Sequence, residues 1–147
     1  MSTRIALAFR EAQHPFLYAK NIDLKVVRLI AGARFKKADG WTEPHDAIVD
    51  TGAPLSVIPE SIWRYLKVNP LGFPPRVIGL AGDGLKVEVA EVQCLAVDEK
   101  AVSSPFALRA YLSHGNSTLL LLGMEDFLTR CALHCDYETS NAYLEFP

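Results

Sequence analysis

The sequence lacks the long apolar runs that mark membrane proteins. Its aliphatic run at residues 119–122 is short, whereas a membrane-spanning helix needs about 20 apolar residues. The N-terminal residues also lack the long apolar core of a signal peptide. These absences argue against a membrane partner and lead us to expect a soluble protein.

Cysteine is scarce as well, and there is no excess of positive charge. The three cysteines, Cys94, Cys131 and Cys135, are an odd number without a disulfide framework, which favours a reducing compartment. The formal net charge is −2 and the isoelectric point is about 6.1, whereas nucleic-acid-binding proteins usually carry a basic excess. We therefore expect a cytoplasmic protein without a nucleic-acid partner.

The cysteines and histidines give little support for a metal site. Cys131 and Cys135 flank His134, but residues 132–137 have the alternating pattern of a strand. That alternation places Leu133, Cys135 and Tyr137 on one face and His134 on the other, so the three potential ligands do not converge. We expect neither a metal nor an organic cofactor.

What the sequence does contain is typical of a single globular β domain. It has 147 residues, of which 50% are hydrophobic and 22% charged. Runs of β-forming residues at 5–9 and 16–29, with a turn at 21–23, alternate with Gly- and Pro-containing turns. Short helices are predicted at 59–66 and 123–130, and a final hairpin should pair residues 132–137 with 142–146.

One long predicted strand, at residues 85–97, changes its apolar phase part-way. Val87 and Val89 share one phase, whereas Val92, Cys94 and Ala96 follow the other. A slip of one residue near positions 90–91 predicts a bulge or a bend in the strand.

Residues 47–53, with the sequence AIVDTGA, contain the groups expected for catalysis of amide hydrolysis. Hydrolysis of an amide by water needs a base to activate the water and an acid to protonate the carbonyl. Two carboxylates that share one proton can supply both, because like charges about 3 Å apart cannot both ionise. Here a short apolar strand leads to Asp50, Thr51 offers a hydroxyl group, and Gly52 allows the backbone to approach the carboxylate.

An Asp-Thr-Gly triplet alone also fits an ordinary turn, so the longer string around it decides the interpretation. The string IVDTGAPLSVIP at 48–59 resembles the active-site signature of the retropepsin-like aspartic proteases, the family of the retroviral proteases. A glycine-bearing hairpin at 79–89 lies where that family has its flap. The Leu120-Leu-Leu-Gly123 segment is similar to the family's apolar-apolar-Gly segment, and the resemblance covers about residues 47–146.

The resemblance implies an all-β, retropepsin-like acid protease barrel with one or two short helices. In that family the aspartate is catalytic, which falls on Asp50, and the following threonine braces two loops across a dimer, which falls on Thr51. Gly52 and Ala53 would line the floor of the cleft. The remaining implied site residues are those of the flap, namely Gly79, Leu80, Ala81, Gly82, Asp83 and Gly84, and those beside the active-site loop, namely Leu121, Leu122 and Gly123.

The chain contains one Asp-Thr-Gly and no Asp-Ser-Gly, so one copy cannot form a pair of catalytic aspartates. The resemblance therefore implies a symmetric homodimer that cleaves peptide or protein substrates as an aspartic endopeptidase. The alternative is a catalytically inactive binding or dimerisation module with the same fold. Trp41, just before the active-site strand, could cap the cleft or simply pack against its neighbours.

Two departures from the family concern the dimer. Retroviral relatives have an arginine and then Asp or Asn after the apolar-apolar-Gly segment, where this chain has Met124 and Glu125. Acidic residues of their active-site loop are replaced here by Pro54 and Leu55. We expect the interchain ion pair of the viral enzymes to be absent and other contacts, such as the terminal strands, to hold the dimer. Residues 1–25 form an N-terminal extension without a counterpart in the viral domain.

Overall fold

The structure is a computed structural model that describes residues 2–78, 84–116 and 118–147. Its strands are Thr3–Ala6 (β1), Ala8–Gln13 (β2), Lys25–Lys37 (β3), Gly40–Trp41 (β4), His45–Val49 (β5), Ser56–Ile58 (β6), Asn69–Pro70 (β7), Arg76–Ile78 (β8), Leu85–Val97 (β9), Phe106–Ser113 (β10), Leu121–Leu122 (β11), Ala132–Asp136 (β12) and Asn141–Phe146 (β13). The helices are Pro15–Tyr18 (α1), Glu60–Trp63 (α2) and a 3₁₀ helix at Leu128–Arg130.

Six strands close into a barrel. They follow the order β3-β5-β11-β6-β10-β9, and β9 returns to pair with β3, from Gly32 opposite Val97 to Phe35 opposite Cys94. The barrel interior is filled by buried side chains such as Phe35, Leu108 and Leu122, all completely inaccessible to solvent. The predicted all-β barrel with short helices is confirmed.

The N-terminal extension and the C-terminal hairpin form a second sheet of three strands. Its order is β1-β13-β12, with both pairings antiparallel. Ile5 and Leu144 face the barrel and are completely buried, so this sheet closes one side of the core. The chain then continues from β1 into β2, which pairs with β3. The predicted final hairpin is confirmed.

Two local predictions are wrong. The strand expected before the turn at 21–23 is absent, because residues 15–18 form helix α1 instead. The turn itself is present at Asn21, with φ of 62°, and β3 begins after it. His14 drives this change: its carbonyl oxygen accepts the Tyr18 N–H at 2.9 Å and its Nδ1 accepts the Leu17 N–H at 3.3 Å. The helix expected at 123–130 shortens to the 3₁₀ helix, because Asp126 has φ of 63° and interrupts a regular helix.

The phase change in β9 has a cause other than a bulge. Leu85 and Val87 are buried at one end of the strand, and Ala90 and Val92 further along, as the slip predicted. However, the β9–β10 register is unbroken from Val87 opposite Ser113 to Cys94 opposite Phe106, so of the two predicted alternatives, a bulge or a bend, the bulge is wrong. The strand instead buries opposite faces at its two ends, first in a small cluster with Val57 and then in the main core.

Within the described ranges, no helix has the length and apolar character needed to cross a membrane.

Candidate active site

Strand β5 delivers Asp50 to a tight loop at its end. Ala47 and Val49 are buried in the core, and β11 runs parallel to β5 beside them. The Asp50 N–H donates to the Leu122 carbonyl oxygen at 2.9 Å, which fixes the point at which the chain leaves the sheet. The Asp50 side chain remains partly exposed, so its carboxylate is held at the surface by a buried strand.

The loop itself brings one backbone donor to the carboxylate and another to the carbonyl oxygen of Asp50. The Gly52 N–H donates to Asp50 Oδ1 at 2.9 Å, and the Ala53 N–H donates to the Asp50 carbonyl oxygen at 3.2 Å. A Cβ atom at Gly52 would lie 3.3 Å from Asp50 Oδ1, so the backbone there approaches the carboxylate closely. Thr51 is exposed at the tip of this turn.

A second segment crosses directly behind the Asp50 loop. The Gly123 N–H donates to Oγ of the completely buried Ser56 at 3.0 Å. The Met124 N–H donates to the Ala53 carbonyl oxygen at 2.8 Å, and the Glu125 N–H donates to that of Pro54 at 3.0 Å. The segment that follows Leu121 and Leu122 therefore holds the Asp50 loop and the start of β6 by three hydrogen bonds. Its first residue, Gly123, is one of the site residues predicted from the sequence.

Gly123 is required at this crossing by steric fit. A Cβ atom at this position would lie 2.6 Å from the Ala53 carbonyl oxygen and 2.8 Å from that of Leu55. Because these are backbone atoms, they cannot move aside as a flexible side chain would. Only glycine allows the two segments to pass this closely.

An open cavity of about 300 Å³ lies beside Asp50. Its walls come from three parts of the chain that are distant in sequence: β3, the Asp50 loop and the C-terminal hairpin. The lining residues are Val27, Arg28, Leu29, Ile48, Val49, Asp50, Thr51, Leu133, Cys135 and Tyr137. Sequence analysis missed Arg28, Leu133 and Tyr137, since nothing in a single sequence links these strands to the Asp50 loop. Trp41 does not line this cavity and instead lies under the Lys36 ammonium group.

Comparison with known proteins identifies the fold. No protein-family model and no curated protein matches the chain. Among solved structures, it is similar to a retropepsin-like aspartic protease from Rickettsia conorii, with a TM-score of 0.58 and 16% identity over 99% of this chain and 93% of that one. The chain adopts the retropepsin-like fold. It is also similar to EIAV protease complexed with the inhibitor HBY-793, with a TM-score of 0.41 and 17% identity over 67% of this chain and 83% of that one.

The flap expected in a retropepsin-like fold is described only at its base. Gly79, Leu80, Ala81, Gly82 and Asp83 lie outside the described residues. Strands β8 and β9 pair from Arg76 opposite Val87 to Ile78 opposite Leu85, which makes them the stem of a hairpin. Gly84, directly before β9, has φ of +81°, and a Cβ atom there would lie 2.5 Å from Val77 Cγ1. Leu85 and Val87 pack in the small cluster to which Leu121 also contributes.

The segment after Gly123 forms its ion pairs within the chain. The Arg109 guanidinium donates to both carboxylate oxygens of Asp126, at 2.7 and 2.9 Å, and to Glu125 Oε1 at 3.1 Å. Hydrogen bonding from Arg109 is the main reason that the pKa of Asp126 is lowered. Glu125 therefore has a partner within its own chain, Arg109 on strand β10.

The thiols of Cys94 and Cys131 are shielded from solvent, Cys94 completely and Cys131 in part. In the described part of the chain, no three His, Cys, Asp or Glu residues are grouped to hold a metal ion. Burial raises the pKa of the Cys131 thiol to about 11 and raises that of Cys94 as well. These two thiols are protonated at neutral pH, and a protonated thiol is a poor nucleophile and metal ligand.

Proposed function

We propose that the protein is an aspartic endopeptidase that acts as a homodimer, with one Asp50 from each copy. The observation that carries this proposal is the position of Asp50. Its carboxylate borders an open cavity on a loop that the Gly123 segment braces, within a retropepsin-like fold. One copy supplies one such carboxylate, so a second copy is needed for a pair.

The chemistry follows from one proton shared by two identical carboxylates. The ionised Asp50 removes a proton from a water molecule held between the pair, and the oxygen of that water attacks the carbonyl carbon of the peptide. The protonated Asp50 of the other copy donates to the carbonyl oxygen. The C–N bond then breaks as the leaving nitrogen gains a proton. The pair must hold one proton, so we expect an acidic pH optimum set by two apparent pKa values of the pair.

The test is cleavage of a peptide library by the purified protein at acidic to neutral pH. Replacing Asp50 by Asn removes both the base and the acid, so we expect activity to fall by about 10³-fold. The matched control is Asp46→Asn on β5, the strand that leads to Asp50, because Asp46 is 70% exposed and is paired with Arg10 at 2.8 Å. It should retain parental activity.

Cleavage that survives in Asp50→Asn would refute the proposed mechanism. A folded parent protein that cleaves no peptide at any pH would leave the inactive binding or dimerisation module as the better explanation.

A further inference from the structure

Strand β12 is an edge strand whose backbone groups point away from the molecule. The Leu7 N–H donates to the Ala142 carbonyl oxygen at 3.0 Å, so the polar backbone groups of Ala142 face the β1 side of β13. Cys135 lies opposite Ala142 in the β12–β13 ladder. In an antiparallel ladder this makes a pair without mutual hydrogen bonds, so the N–H and C=O groups of Cys135 point outward. The same alternation applies to Leu133, two residues earlier.

These outward groups form an open template for another strand. Among the residues that the structure describes, none forms a hydrogen bond with the backbone of Leu133 or Cys135 along this outer edge. Unpaired strand edges readily pair with a strand from another chain, and soluble proteins usually block the edges that they do not use.

The opposite edge of the same sheet is blocked by a side chain at Ala6. There the outward N–H group of Ala6 in β1 donates to Asp98 Oδ2 at 2.6 Å. The other oxygen of Asp98 accepts the N–H groups of Lys100 and Ala101, both at 2.7 Å, which holds the carboxylate in place. The sheet therefore has one protected edge, at β1, and one open edge, at β12.

The open edge lies beside the proposed catalytic residue. Leu133, Cys135 and Tyr137 line the same cavity as Asp50 and Thr51. A copy that docks along β12 would therefore bring its own Asp50 loop to this side of the molecule, where the second carboxylate is needed.

We propose that two copies of this chain pair antiparallel through their β12 strands, forming a continuous six-stranded sheet beneath the two Asp50 loops. This inference rests on the proposed function, since it supplies the partner that the catalytic pair requires. The two-fold axis of such a dimer passes between the two β12 strands, so a residue near the centre of the strand faces its own copy.

Side-chain chemistry favours a register centred on Cys135. That register places His134 opposite Asp136 of the partner subunit, a donor facing an acceptor. It also places Leu133 opposite Tyr137 of the partner subunit, an aliphatic–aromatic pair of the kind that stabilises sheets. A register centred on His134 would instead set two imidazoles against each other. Asp136 is suited to this contact, because its Oδ1 accepts the N–H groups of Glu138 and Thr139 and leaves Oδ2 free of those bonds.

The test uses proline to remove one outward N–H group. Cys135→Pro removes a donor that has no partner within the chain, so we expect a folded protein whose dimer is at least about tenfold weaker. The matched control is Arg4→Pro, which removes an outward N–H group on the protected β1 edge and should leave the dimer intact. Analytical ultracentrifugation measures the dimer, and circular dichroism with thermal unfolding measures the fold.

A second measurement does not depend on the proline variant being folded. In the Cys135-centred register the two Cys135 side chains are adjacent, so a short bifunctional maleimide should link two copies. We expect the covalent dimer to form equally in Cys131→Ser and to be lost in Cys135→Ser.

The outcomes separate this interface from the proposed function. A dimeric, active parent protein that gives no Cys135 cross-link, and whose Cys135→Pro variant dimerises normally, would overturn the β12 interface and leave the enzyme proposal standing. A parent protein that is monomeric and inactive at every concentration would overturn both.

Discussion

Two glycines beside Asp50 serve different physical purposes. Gly123 lies where backbone oxygen atoms of the crossing loop leave no room for a Cβ atom, whereas Gly52 has only the Asp50 carboxylate nearby. Substitution at the first position therefore strains the backbone of two segments. Substitution at the second crowds one side-chain oxygen atom and leaves the surrounding backbone as it is.

We expect Gly123→Ala to lower the free energy of unfolding by about 3 kcal/mol or more, because the added methyl group overpacks a rigid crossing. Gly52→Ala should keep nearly parental stability and lose peptidase activity, because the carboxylate is displaced. Chemical denaturation measures the first effect and peptide cleavage the second. Parental stability in Gly123→Ala would contradict the close crossing of the two segments.

The string around Asp50 predicted the loop, because the requirement for a small residue beside a carboxylate is visible in a few consecutive letters. The glycine at 123 was singled out only because its segment resembles the apolar-apolar-Gly segment of the retropepsin-like proteases. Arg28 and Tyr137 were not visible. Their place beside Asp50 depends on how β3 and the C-terminal hairpin pack, which no local pattern encodes.

At the scale of elements, an ion pair joins β10 to the segment that follows the Gly123 crossing. The Asp126 side chain is 15% exposed, and its carboxylate binds both the guanidinium and the backbone N–H of Arg109. These bonds lower the pKa of Asp126 below its ordinary value of 3.8. The ionised form is therefore favoured by folding, and the stabilisation is lost as the pH falls from 3.8 through the lower pKa of the folded state.

Asp126→Asn tests this linkage. Asparagine tolerates the positive φ at this position, so the loss should reflect the charge. We expect the free energy of unfolding to fall by about 1 kcal/mol at neutral pH, since Arg109 is half exposed and its attraction is screened. The difference from the parent should shrink below pH 3.8. Asp39→Asn, at an 85% exposed side chain, should cause no change at either pH.

Elements were predictable where burial determines them and unpredictable where local hydrogen bonds do. The C-terminal hairpin and β9 followed from apolar alternation, and even the change of phase in β9 was visible as a change of buried face. Helix α1 was not predictable from the sequence, because its residues are of types that favour strands. Phe16 and Tyr18 are about 60% exposed there, so no burial rewards extended structure, and bonds to His14 decide the conformation.

At the scale of the whole molecule, a shared site makes activity depend on both copies at once. If a mixed dimer of parent and Asp50→Asn chains is inactive, activity follows the square of the parent fraction. Equal amounts of parent and Asp50→Asn protein, mixed and allowed to exchange subunits, should therefore show about one quarter of the peptide cleavage of pure parent protein at the same total concentration. An outcome near one half would mean that each chain carries a complete site of its own.

The carboxylate that closes one side of the small terminal sheet also limits how far assembly can go. If two copies pair through β12 as proposed, they use the open edge of this sheet in both chains, and its extension stops at two copies. If both edges were open, the same backbone geometry would allow chains to add without end and grow into fibres. In the proposed assembly Asp98, remote from the chemistry, would thus favour a closed dimer over an open polymer.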